Sequence, residues 1–130
     1  TPWEGSGYFY PVLLTNSDHD AGTVYSLVKA IDTNYDDFKA AAPGADGWAR
    51  DRQGFQWVIP WHDGAVKYWK EVGVWTSEME AHQAMTVKRQ DTLAAAWEAY
   101  KAKPASDFEA GWLQARAAAL SAAGMAVIFN

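Results

Sequence analysis

The chain has 130 residues, 49% of them apolar and 21% charged, a balance that argues against disorder and fits a packed globular chain burying about two thirds of its unfolded surface. Sixteen acids against eleven Lys and Arg give a formal charge of −5, which disfavours nucleic acid or an anionic membrane as the main partner, since both need a concentrated basic surface. Cysteine is absent, so disulfides, Cys-ligated zinc and thiol catalysis are excluded.

No segment approaches the roughly 18 to 20 consecutive apolar residues of a membrane span, and membrane insertion is not expected. The opening TPWEGSGYFY lacks a basic region followed by an apolar stretch, so an export signal is expected upstream or already removed. Tyr8 to Leu14, YFYPVLL, is apolar on both faces and predicts a buried strand, with Pro11 placing it at an edge or a bulge. Alone, such a strand leaves backbone groups unpaired at about 1–3 kcal/mol per buried group. Its partner is expected from upstream segments, from the terminal MAVIF or from a second copy.

Asp18 or Asp20 can cap a helix whose apolar positions Val24, Leu27, Val28 and Ile31 recur at helical spacing. A short helical piece is predicted over Tyr35 to Ala41, ended by Pro43-Gly44. Ala45 to Pro60 shows neither period and is expected to be mostly loop with one helical turn. His62 to Val72 returns to a helical pattern in which Ala65, Val66 and Trp69 share a face, and Gly73 supplies the stop. Ser77-Glu78-Met79-Glu80 has the form of a capping box and opens the longest helix, which is expected to end near Lys103 before Pro104. Leu93, Trp97 and Tyr100 line one side of it. A second box, Ser106-Asp107-Phe108-Glu109, starts a helix carrying Phe108, Trp112, Ala115 and Ala119 on one stripe until Gly124. These two helices are expected to form an antiparallel hairpin. Met125 to Phe129 reads as a strand or, preferably, a docked segment.

The run Pro60-Trp61-His62-Asp63-Gly64-Ala65, continuing Val66-Lys67-Tyr68-Trp69-Lys70-Glu71-Val72-Gly73, resembles the late signature of TAXI receptors, the periplasmic solute-binding proteins of TRAP transporters. That signature is a proline-preceded His-Pro-Gly-Ala leading into an aromatic-rich helix and a Glu-x-Gly stop. Pro60, His62, Gly64, Ala65, Tyr68, Glu71 and Gly73 stand where the pattern wants them, as structural positions. Asp63 departs from the usual proline but leaves an acid near the positive end of the helix. Residues 10–31, YPVLLTNSDHDAGTVYSLVKAI, are similar to the family's strand, acidic turn and helix, with Val24-Tyr25 and Lys29-Ala30 fitting it. Residues 76 to 124 resemble a helical extension found at the end of some members.

The resemblance implies a mainly α chain with little β, an α/β fragment forming the C-terminal part of a periplasmic-binding-protein-like lobe plus a terminal antiparallel helical hairpin. Residues 1–75 would end the lobe and 76–130 form the extension, packed as one structural domain. The implied function is binding of a small, often carboxylate-bearing solute together with an absent N-terminal part, and delivery to an ion-gradient-driven TRAP permease. The implied compartment is the periplasm. The alternative is a helical protein-protein interaction or dimerisation domain, such as a homodimer, without small-molecule binding.

By the resemblance, Trp3, Tyr8 and Tyr10 lie near the hinge and the base of the cleft, which makes them the candidate ligand contacts; rings packed in a core would look the same. Trp57, Trp61, Trp69 and Trp75 follow no single helix face and fit a core better than a ligand box. His62 is the one tempting catalyst, as in a small hydrolase, but no Ser or Cys nucleophile sits in a recognisable elbow, so no enzyme is expected. His19, His62 and His82 lack the spacing that places two metal ligands on one helix face, and the acids at Asp18/Asp20 and Asp36-Asp37 lack a calcium-loop pattern. No metal or cofactor is expected.

Overall fold

The computed structural model describes residues 12–128, and every regular element among them is helical. The α-helices are α1 (Ala21–Thr33), α2 (Tyr35–Phe38), α3 (Asp63–Glu71), α4 (Ser77–Ala102) and α5 (Phe108–Ala122), with two 3-10 turns, Ala45–Trp48 and Arg50–Arg52, between α2 and α3. The chain forms two compact units, residues 1–80 and 81–130. Of the predicted Tyr8–Leu14 strand, residues 8–11 lie outside the described residues. Val12, Leu13 and Leu14 form no strand and are exposed. The physical reason is the missing ladder: no described backbone group pairs with theirs, and a single extended segment is not a strand.

In the first unit, Asp20 rather than Asp18 caps α1. Its Oδ2 accepts the Thr23 amide at 2.6 Å and the Thr23 hydroxyl at 2.9 Å, satisfying one of the free donors of a helix start. Val24 is buried, with Tyr25 and Val28 packed against the same cluster. Leu27, expected on the inward face, is instead 48% exposed, because α3 lies against the side of α1 that carries Val24, Tyr25 and Val28. The predicted helical piece after α1 is one turn shorter than expected, and Gly44 at φ 85° sits where the chain turns into the first 3-10 turn.

α3 is the most buried helix: Gly64, Ala65, Val66, Tyr68 and Trp69 are all removed from solvent. A Cβ at Gly64 would overlap the Ala21 carbonyl oxygen and lie 2.9 Å from the Tyr25 nitrogen and 3.0 Å from the Val24 Cβ. The start of α3 therefore touches the backbone of α1, an approach only glycine permits. At the other end, Gly73 at φ 71° completes a Schellman stop: its N–H donates to the Lys70 carbonyl at 3.1 Å and the Val74 N–H to the Trp69 carbonyl at 2.9 Å.

α4 starts as expected but is capped one residue earlier than predicted. Thr76 Oγ1 accepts the Met79 amide at 3.3 Å, so Ser77 is already helical. Glu80, expected to reach back to the helix start, instead accepts the Trp75 indole N–H at 2.6 Å and pairs with Lys70 at 2.8 Å. The cap of α5 is likewise displaced by one, since Asp107 rather than Ser106 accepts the Ala110 amide, at 3.1 Å. The two displacements run in opposite directions, to the residue before Ser77 and to the residue after Ser106, because local spacing alone does not distinguish adjacent Thr-Ser or Ser-Asp pairs.

In the second unit, α4 and α5 are antiparallel. Trp97 and Tyr100, late on α4, meet Phe108 and Trp112, early on α5, with ring centroids 4.9–5.9 Å apart, while Arg89, earlier on α4, donates to the Ala126 carbonyl beyond α5 at 2.8 Å. Tyr100 donates its hydroxyl to the Phe108 carbonyl at 2.7 Å. Leu120 is fully buried, and a second Schellman stop at Gly124 (φ 68°) joins Gly124 N–H to Ser121 and Met125 N–H to Leu120. Of the predicted Met125–Phe129 segment, Phe129 lies outside the described residues; residues 125–128 form no strand and are tied to α4 by the Arg89 bond, with Ala126 and Ile128 exposed.

Candidate functional site

The seven signature positions of the first unit come together as structure. His62 caps α3: its Nδ1 accepts the Gly64 amide at 3.1 Å, and its carbonyl accepts the amides of Ala65 at 2.9 Å and Val66 at 3.0 Å. With Nδ1 used as an acceptor, a neutral His62 carries its proton on Nε2, which is buried and has no hydrogen-bond partner among the described residues. Serving as a base through Nδ1 would mean giving up the cap. Ala65 and Tyr68 are buried beside α1, Glu71 lies near the end of the helix, and Gly73 stops it. Pro60 is half-buried just ahead of the cap. Trp3, Tyr8 and Tyr10 lie outside the described residues.

The best-formed polar arrangement was not anticipated from the sequence. Asp32, near the end of α1, has a side chain only 6% exposed. Its two oxygens accept from Nε (3.0 Å) and Nη2 of Arg50, and Oδ2 also accepts the Tyr68 hydroxyl at 2.5 Å. The fork of Arg50 fits the carboxylate in a bidentate pair while its side chain stays 49% exposed. These bonds, Arg50 foremost, hold the Asp32 pKa below its usual value against the opposing effect of burial. Burial first, and then donation to Asp32, push the Tyr68 hydroxyl up to about 12. The trio ties the segment between α2 and α3 to α1 and α3. A carboxylate on the inward stripe of α1, four residues after Val28 and eight after Val24, was the signal available in the sequence.

A second, exposed network joins the same helices. Tyr25 donates its hydroxyl to Glu71 at 2.6 Å and accepts from Lys29 at 3.2 Å; Lys29 also pairs with Glu71 at 3.5 Å, and Lys67 lies 5.2 Å from the Tyr25 ring centroid. The Tyr25 hydrogen bond and Lys29 lower the Glu71 pKa, and the Tyr25 hydrogen bond and Glu71 raise that of Lys29.

Of the four tryptophans expected in the core, Trp69 is buried in it, Trp61 and Trp75 pack against it, and Trp57 is half-buried. Phe55 stacks on Trp61 at 5.3 Å and meets Trp69 and Trp75 edge-on at 5.3 and 6.2 Å, while Trp61 and Trp69 are perpendicular at 6.2 Å. At these distances the rings touch one another, so the group is a packed cluster with no space between its rings for a solute. The buried indole N–H of Trp69 within it has no hydrogen-bond partner among the described residues. No group of three or more His, Asp and Glu among the described residues could hold a metal ion, and no helix among them is long and apolar enough to cross a membrane.

No curated protein and no solved structure matches the chain. Residues 10–73 match the model of the NMT1-like family, a family of the periplasmic-binding-protein-like, solute-binding kind. The match runs from Tyr10, ahead of α1, to the glycine stop of α3, so it takes in the Gly64 contact, the Asp32 trio and the Tyr25 network. Residues 10–73 are, as one block, similar to the NMT1-like family of solute-binding proteins.

Proposed function

We propose that the chain is the C-terminal region of a periplasmic solute receptor of the TAXI kind, which binds a small carboxylate-bearing solute and delivers it to a TRAP permease. The chain performs no chemistry of its own in this reading, and the protein is exported. The observation that carries it is the coincidence of the NMT1-like match, residues 10–73, with the whole α1–α3 pairing. The signature residues serve that pairing: His62 caps, Gly64 lets the helices meet, Tyr68 bonds Asp32, Glu71 bonds Tyr25 and Gly73 stops the helix. Such a frame supports the receptor-lobe reading without making these residues its solute contacts.

The test is thermal-shift screening of the full-length natural protein against organic acids and amino acids. A solute that binds only the native state at a hundred times its Kd adds about 2.7 kcal/mol of stability. The reading expects a clear rise in Tm with at least one small carboxylate. A flat response across such a panel, together with a gene that encodes no second lobe and has no permease genes beside it, overturns it.

A further inference from the structure

We draw no further inference here: the strongest candidate, the exposed apolar run Val12-Leu13-Leu14 leading into α1, carries nothing because no described residue shows what covers it.

Discussion

The two units each bring a pair of helices together around a glycine, but they do so in different ways. In the first, Gly64 faces backbone: the Ala21 carbonyl and the Tyr25 amide nitrogen stand where its Cβ would go. In the second, Gly111 faces side chains: a Cβ there would lie 2.5 Å from the Tyr100 hydroxyl and 2.6 Å from the Ala105 Cβ. Backbone held in a helix cannot step aside without moving the whole element, whereas Tyr100 can swing at the cost of its hydrogen bond to Phe108 and Ala105 can shift only with the non-helical segment that carries its Cβ. The α1–α3 contact is thus a backbone seam, and the α4–α5 hairpin is held at arm's length by Trp97, Tyr100, Phe108 and Trp112. A seam fixes the relation of two helices more tightly than a layer of rings does, which suits a frame that must hold its shape.

The largest expected effect comes from breaking the seam. Gly64→Ala should destabilise the protein by about 3 kcal/mol, the upper end of overpacking in a closed site, measured by urea unfolding. A loss under 1 kcal/mol would show that α1 and α3 can separate freely.

Next comes the polar tie across the same seam. Asp32→Asn leaves Arg50 without its carboxylate and should cost about 2 kcal/mol, less than a fully buried pair because Arg50 is half exposed. The Asp32 pKa is lowered in the folded state, so its contribution is present above the unfolded value and lost as pH falls through the folded one. Acid unfolding of the natural protein should therefore fall more steeply below about pH 4 than that of the variant. Parallel curves would remove Asp32 from the account.

Tyr68 gives a smaller effect at the other end of the scale. Its pKa is raised to about 12, so its contribution is intact below the ordinary tyrosine value of about 10 and is lost as pH rises through the folded one. Tyr68→Phe should cost about 1 kcal/mol at neutral pH through the lost hydrogen bond, and should flatten the decline in stability between pH 10 and 12, followed by circular dichroism. An unchanged alkaline decline would point to other groups.

The smallest effect is expected at Gly111. The gain of about 1 kcal/mol in helix propensity on Gly111→Ala opposes the displacement of Tyr100 and of the segment carrying Ala105, leaving a net loss of about 1 kcal/mol at most. A loss equal to that of Gly64→Ala would erase the distinction between the two contacts.

Punctuation was the most legible part of the sequence. Gly73, Gly124 and Pro104 mark helix ends because a left-handed residue or a missing amide leaves few alternatives. Starts were legible only to within a residue, since Thr76 beside Ser77 and Asp107 beside Ser106 offer equivalent oxygens. Of the predicted Tyr8–Leu14 strand, the described part, Val12 to Leu14, was misread from its apolar run, because a strand is a property of two segments and no partner is present among the described residues. Leu27 misled for a related reason: helical spacing defines a face but not which edge of it the neighbouring helix covers. The Asp32 trio joins residues 18 and 36 positions apart, and only the fold brings them together. Gly64 was legible as a signature position, while the backbone contact that explains it was not.

The most direct test of the seam is amide hydrogen exchange compared between the natural chain and Gly64→Ala under native conditions. The account predicts that the interior amides of α1 and α3 lose protection together, by roughly two orders of magnitude for a loss of about 3 kcal/mol. Unchanged protection in both helices with a Cβ at position 64 would contradict it.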